Sequence, residues 1–373
     1  MKPMILRRGQ SGREVTGGRR VPGLQAEQVI TERPRPGDGA QAIFRRLALR
    51  LAAMEAATVS LMIYATSAAR REIEVAMAAE LGPTEWPVTW IEDLGGGGAP
   101  LAGVQAWVLA GRPVDRIRIG RRVVGSVYND GGARHCVLGG LGPTAPNLPR
   151  TVQAQETLVT LETALAQAGF TLADVVRTWF YNDAILDWYD AFNQVRSAHY
   201  ARVPWRTGSL PASTGIGARN PDGAALVVAA WAMQPDGGAA YAREVGSPLQ
   251  CPAPRYGSAF SRAMEVASGG SRRLFVSGTA SIHPDGTTAW VGDIRKQVAL
   301  TMEVVAALLQ ARRMGYADIT RATAYFKSAA DQPVFAAWCA ERDLTDLPVI
   351  CLHADVCRDA LLFEIELDAV RRI

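Results

Sequence analysis

The chain has 373 residues, 48% hydrophobic, 20% charged and 7% aromatic, which is the make-up of a globular protein of two or three domains and excludes a disordered chain or a small disulfide scaffold. Its formal charge of +4 does not mark a nucleic-acid binder: residues 1 to 39 carry eight Lys and Arg against four Asp and Glu, and the rest of the chain carries 32 of each sign. The five cysteines are odd in number and form no C-x-x-C pair, and no uncharged apolar run reaches the roughly 18 to 20 residues of a membrane helix, so a cytoplasmic protein with neither zinc ribbon nor membrane span is expected.

In chain order, residues 1 to 39 are rich in Gly, Pro and Arg with few large apolar side chains, and read as a flexible basic tail. A helix is expected over 40–54 (Ile43, Leu47, Leu51 and Met54 on one face), a strand over 59–64, a helix over 68–81, and strands over 87–91 and 101–110. The run Gly95 to Gly98 reads as a hairpin loop. The middle third predicts strands at 123–128 and 134–138, a helix at 151–168 ended by Gly169, a strand at 175–182, a helix at 188–199, and strands at 213–217 and 224–233. The last third repeats that order: strand 272–277, helix 294–313, strand 321–327, short helix 334–342, strands 349–355 and 360–369. The two copies share letters at one junction, A-D-V-V-R at Ala173 to Arg177 and A-D-I-T-R at Ala317 to Arg321. The repeat is about 120 residues long and reads as a duplication. The expected architecture is an α+β fold of tandem modules, with 40–115 a truncated copy lacking the leading hairpin and 116–236 and 254–373 full copies. Helices lie on the outer face of mixed sheets that meet around an axis, a pseudo-trimeric arrangement.

Nucleotide-binding, hydrolase-elbow and zincin motifs are absent. The sharpest constellation is L-H-A-D-V-C-R-D-A-L-L-F-E-I-E-L-D near the C-terminus. Strand alternation there puts Leu361, Phe363, Ile365 and Leu367 on one face and Glu364, Glu366 and Asp368 on the other. Three adjacent acids leave two readings open: a solvated face, or a crowded one in which a carboxyl stays protonated and acts as a general acid. His353, Asp355 and Cys357 also alternate, but the spacing straddles a turn and lacks a fourth ligand, so no metal is assigned. Arg177, flanked by aromatics in R-T-W-F-Y, needs an anionic partner, either a bound carboxylate or an internal acid; Lys327 in Y-F-K carries a weaker form of that signal.

These motifs as a set, R-T-W-F-Y, Y-D-A-F-N-Q-V-R (Tyr189 to Arg196), L-P-A-S-T-G-I-G-A (Leu210 to Ala218), R-L-F-V-S-G-T-A-S-I (Arg273 to Ile282) and the C-terminal run, resemble the chorismatase branch of the YjgF/RidA-like superfamily over roughly residues 173 to 370. The resemblance implies a cofactor-independent enzyme that releases pyruvate from chorismate or a similar dicarboxylate, acting as a monomer or weak homo-oligomer with no nucleic-acid or membrane partner. It places the catalytic acid at Glu364. Substrate-binding positions fall on Arg177, Tyr256, Arg262, Lys327, Thr214 and Gly215, and the pair Gly278 and Cys357 resembles the subtype that forms 3-hydroxybenzoate. A RidA-type enamine or imine deaminase relies on an arginine just after a proline at the penultimate strand, but L-P-A-S-T-G and L-P-V-I-C-L have none. A non-catalytic small-molecule binding protein of the same fold is the remaining alternative.

Overall fold

The computed structural model describes residues 27–95 and 99–373. Its first unit comprises β1 (Glu27–Glu32), α1 (Ala40–Met54), β2 (Ala56–Ala65), α2 (Arg70–Leu81), β3 (Val88–Glu92) and β4 (Leu101–Ala110). The second comprises β5 (Asp115–Ile119), β6 (Arg122–Asn129), β7 (Ala133–Leu141), α3 (Arg150–Gln167), β8 (Val175–Asn182), α4 (Tyr189–Tyr200), β9 (Ala212–Gly217) and β10 (Leu226–Pro235). The third comprises β11 (Tyr241–Val245), β12 (Ala263–Ser268), β13 (Ser271–Ala280), α5 (Ile294–Gln310), β14 (Ile319–Phe326), α6 (Gln332–Ala340), β15 (Val349–His353) and β16 (Phe363–Arg372).

Three sheets result, in the orders β1-β4-β2-β3, β5-β6-β7-β10-β8-β9 and β11-β12-β13-β16-β14-β15. In each, one parallel pair (β2/β3, β8/β9, β14/β15) is joined through a helix and the other pairs are antiparallel. The helices cover one face of each sheet; α1, for example, buries Ile43, Phe44 and Leu47 against Leu61, Ile63 and Val104. A fully buried side chain of this kind stabilises by about 1.5–3 kcal/mol.

The opposite faces of the three sheets meet in one shared core. Trp107 and Trp179 lie 6.0 Å apart and Trp107 and Trp231 6.3 Å apart, and each indole carries a guanidinium: Arg321 over Trp107, Arg177 over Trp179 and Arg273 over Trp231. Tyr64, Tyr181 and Tyr325, the next-to-last residues of β2, β8 and β14, are all completely buried. They set a common register for comparing the three units.

Several expectations are corrected. Residues 27–32 are not part of a tail: β1 pairs with β4, Glu27 pairs with Arg273 of the third unit and accepts from the Tyr128 hydroxyl at 2.8 Å, and Glu32 pairs with Arg46 and Arg50. The flanking Pro and Gly hide a short strand whose acids are held by distant cations. Residues 33–39 are held as well, Arg33 by the Val349 carbonyl at 3.3 Å and Asp38 by Arg46 at 2.6 Å, while residues 1–26 of the expected tail and Gly96 to Gly98 lie outside the described residues. The short strands β5, β11 and β12 were not expected, and β11 starts the third sheet ahead of residue 254. The last strand begins at Phe363 because residues 356–362 form a loop, turned by the Leu361 N–H bond to the Arg358 carbonyl. Leu361 packs instead with Ala280, Ile282 and Val356.

Candidate active site

Both faces of β16 are buried. Phe363, Ile365 and Leu367 face the helices, and Glu364, Glu366 and Asp368 turn towards the axis with 5%, 0% and 0% exposure. The solvated-face reading of these acids is therefore wrong, because two other sheets cover the side of the third that a lone sheet would leave wet.

Glu364 opens onto a cavity of about 500 Å³ between the second and third units. Its walls are Tyr189, Asn193, Arg196 and Ser197 on one face of α4, Ser213 and Gly215 of β9, and, from the third unit, Tyr256, Ser258, Phe260, Arg262, Gly278, Ala280, Cys357 and Arg358. That size suits a small organic ligand. Gly278 sits where β13 slips register against β16, a bulge that turns the strand beside the cavity. A Cβ at this position would overlap Oε1 of Glu364, so only glycine leaves the carboxyl in place.

Three guanidiniums line the cavity, and none makes an ion pair among the described residues. Arg262 is 4% exposed and donates through Nε and Nη2 to the Cys251 carbonyl at 3.0 and 2.9 Å, which fixes its plane. Arg196 is 1% exposed, bonds Asn193 at 2.7 Å and leaves its buried Nε unpartnered. Arg358 donates to the Gly286 carbonyl at 2.7 Å. The Tyr256 ring stands 5.3 Å from Arg262 and 4.9 Å from Arg358, so its π-face screens two like charges from each other.

Burial, then the neighbouring Glu366 charge, pushes Glu364 up to about 8 against the pull of Arg177, Arg262 and Arg358. The carboxyl is thus largely protonated at neutral pH. Burial and the nearby Glu364 raise the Cys357 thiol to about 12, so it is a neutral wall and not a nucleophile. Tyr189 and Tyr256 are also raised, chiefly by burial, and stay as hydroxyl donors.

Of the expected site residues, Glu364, Tyr256, Arg262, Gly215, Gly278 and Cys357 all line this cavity. Three do not. Arg177 has no exposed surface and pairs with Glu366 on the axis; of its two open readings the internal acid is the one observed. Lys327 bonds the carbonyl and carboxylate of Asp359 at 2.7 and 2.6 Å, so it anchors the loop that carries Cys357 and Arg358 without reaching the cavity. Thr214 accepts the Gly278 N–H at 3.1 Å, joining β9 to β13. The same bond recurs between the first two units, where Thr89 accepts the Gly140 N–H at 3.0 Å. There the Val88 carbonyl occupies the space a Gly140 side chain would need, and the cavity of about 350 Å³ beside it has the exposed Asp222 as its one acid, with no buried carboxyl in its wall. A bond that recurs at both boundaries joins modules, and Thr214, which is absent from the cavity wall, is corrected from a ligand contact to such a joint.

Arg196, Arg358, Tyr189 and Asn193 were not expected. Tyr189, Asn193 and Arg196 follow at i, i+4 and i+7 within the quoted Y-D-A-F-N-Q-V-R motif, a helical stripe the sequence could have revealed. His353 bonds the Gly95 carbonyl at 2.7 Å through Nδ1, and Asp355 meets Gly217 through backbone bonds, so neither joins Cys357 at the cavity. No helix among the described residues is long and apolar enough to cross a membrane.

No family model matches the chain. It is 27% identical over 252 residues to the 3-hydroxybenzoate synthase of Streptomyces hygroscopicus, covering 60% of this chain and 71% of that protein. It is 30% identical over 217 residues to the chorismatase of Streptomyces rapamycinicus, covering 52% of this chain and 63% of that protein. A crystal structure of a chorismatase superposes with a TM-score of 0.63 at 19% identity, covering 92% of this chain and 98% of that one, and so shares the whole three-sheet fold. The chain thus resembles a 3-hydroxybenzoate synthase and a chorismatase in sequence, and it shares the fold of a chorismatase.

Proposed function

We propose that this protein is a cofactor-independent, chorismatase-like enzyme that releases pyruvate from chorismate and forms 3-hydroxybenzoate. The observation that carries the reading is the charge of the cavity: three guanidiniums without a carboxylate partner surround one buried carboxyl that holds its proton. Such a site is incomplete without a dianionic ligand, and guanidinium is the group best shaped for carboxylates.

In the proposed reaction Glu364 gives its proton to the methylene carbon of the enolpyruvyl ether. The neighbouring ring hydroxyl captures the resulting oxocarbenium carbon; the bond from that hydroxyl's oxygen to the ring and the bond from the ether oxygen to the captured carbon then break, so pyruvate leaves with the former hydroxyl oxygen as its keto group. The ether oxygen stays on the ring, and loss of the hydrogen on the carbon that bears it makes the ring aromatic and returns a proton to the Glu364 carboxylate. Chorismate equals pyruvate plus 3-hydroxybenzoate in atoms, so that outcome consumes no net water. Capture by water would give pyruvate and a dihydroxycyclohexadiene carboxylate. Support for the first product comes from Gly278 and Cys357, which stand together at the Glu364 carboxyl, and from the name of the Streptomyces hygroscopicus relative. The deaminase alternative is disfavoured because Ala212 and Val349, not arginines, follow Pro211 and Pro348.

Purified protein incubated with chorismate is expected to release pyruvate without added metal, with one equivalent of 3-hydroxybenzoate found by chromatography. No pyruvate across the pH range where the protein is folded would sink the assignment. Arg262→Met and Arg196→Met are expected to raise KM for chorismate by about 10- to 100-fold, the loss of one charge-assisted contact. A steady-state KM unchanged in both would show that the substrate lies elsewhere. We further propose a cytoplasmic setting, and a monomer or weak homo-oligomer, since three sheets already close the axis within one polypeptide.

A further inference from the structure

Two carboxyls, Glu364 and Glu366, lie two residues apart on the same inward face of β16, yet their surroundings are opposite. Glu366 is saturated. Its Oε2 receives Arg177, the Trp179 indole N–H at 2.5 Å and the Thr214 hydroxyl at 3.3 Å; its Oε1 receives Arg321 and the Tyr325 hydroxyl at 3.4 Å. Glu364 forms no ion pair among the described residues, although Arg177 is close enough to act on it. The common register shows that this pair arises once: opposite Met62, Trp179 and Thr323 stand Gln105, Ala229 and Glu366, and opposite Tyr64, Tyr181 and Tyr325 stand Gly103, Val227 and Glu364.

We propose that Glu366 is a positioning residue for Glu364: as the resident counter-ion of Arg177 and Arg321, it occupies the two axial guanidiniums and leaves Glu364 an unpaired, neutral acid. The inference rests on the reading of Glu364 as the proton donor. An unoccupied Arg177 in this dry core would recruit the nearest remaining carboxyl, and a recruited carboxylate has no proton to give. Two carboxyls on one strand thereby take two roles, one permanently ionised and one proton-bearing. The groups that face Glu364 are Glu366 on its own strand, Arg177 of β8, Tyr189 of α4, Tyr256 and Arg262 ahead of β12, and Cys357 and Arg358 of the loop before β16.

Opposite substitutions must then move Glu364 in opposite directions. Glu366→Gln removes a neighbouring negative charge and leaves Arg177 without a carboxylate and Arg321 with Asp368 alone, at 3.9 Å, so Glu364 ionises at lower pH. Arg177→Met removes one cation while Arg321 and Glu366 remain paired one to one, so Glu364 ionises at higher pH. The shifts are read in the infrared carbonyl band of the protonated carboxyl, identified by its loss in Glu364→Gln, and in the alkaline limb of kcat/KM for chorismate. The expected movement is about one pH unit or more in each direction. Because Glu366→Gln strands the buried Arg177 and weakens the pairing of Arg321, Arg177→Met decides the question if the first variant does not fold. No shift, or shifts of the same sign, overturns the proposal, since a merely structural role for the ion pair has no such directionality. If the infrared titration moves as described and no variant or wild-type protein releases pyruvate, the charge arrangement stands and the chorismatase reading falls.

Discussion

Glu364→Gln is expected to abolish pyruvate release while producing a protein that withstands heat better than the wild type above about pH 8. The loss of activity follows from the chemistry: an amide cannot deliver the proton that starts the reaction, and no other acid in the cavity replaces it, because Asp190 is an exposed rim residue. A general acid contributes about 10²–10⁴-fold, so residual turnover should fall by at least that range. The gain in stability follows from linkage. Glu364 is raised from its ordinary 4.5 to about 8 in the folded protein. The stability that accompanies its protonated form is fully present below about pH 4.5 and is lost as pH rises to about 8, where the folded state must at last ionise a buried group. The cost approaches about 5 kcal/mol at the alkaline end, and the neutral amide avoids it. Thermal melts of the two proteins should therefore coincide near pH 4.5 and separate as pH rises through the window. Equal melting at all pH would mean that Glu364 is ionised in the fold, which contradicts its assignment as the acid. Wild-type activity should show the matching alkaline limb near pH 8.

Gly278→Ala has the second large expected effect. Its methyl group would occupy the place of Oε1 of Glu364 and approach the Thr214 methyl at 3.4 Å. The strand is buried and held by β16 on one side and by the Thr214 hydroxyl on the other, so the mobile element is the Glu364 side chain. Once the carboxyl rotates away, kcat for pyruvate release should drop by about 100-fold or more, because proton transfer depends on sub-ångström placement. KM should change little, since Arg196, Arg262 and Arg358 are untouched. Chromatography of the remaining product tests the subtype: the share of 3-hydroxybenzoate should fall in Gly278→Ala combined with Cys357→Ala, and an unchanged product ratio would remove these two residues from product control.

Six of the nine expected site residues reach one cavity, and the three that miss it do so for a common reason. Arg177 and Thr214 on strands and Lys327 just past the end of β14 are polar residues next to the site, and a linear pattern cannot tell which of two neighbouring acids or carbonyls will claim a donor. Arg177 and the Thr214 hydroxyl both donate to Glu366, 189 and 152 residues away in sequence, and Lys327 donates to Asp359 in the next loop. The converse omission, Arg196 and Arg358, has two causes. Arg196 lies on a helix whose apolar face dominates the periodic signal, and Arg358 lies in a loop that was read as part of a turn between strands.

The periodicities of the chain were sufficient to define the repeated β-α-β-α-β-β order, the helices on one face of each sheet and the alternation that sets Glu364, Glu366 and Asp368 apart from Phe363, Ile365 and Leu367, because these depend on residues a few positions apart. The clustering of excess charge ahead of residue 40 is likewise a property of sequence, although two of those acids, Glu27 and Glu32, prove to be structural partners inside the body. Only the tertiary structure decided that the acidic face is dry, that Arg177 and Arg321 both go to Glu366, and that the buried carboxyl meets its cavity at the boundary of the second and third units. Those outcomes come from three sheets converging on one axis. A strand's own letters specify which face a carboxyl takes, and the residues brought against that face from two other sheets set whether it ionises.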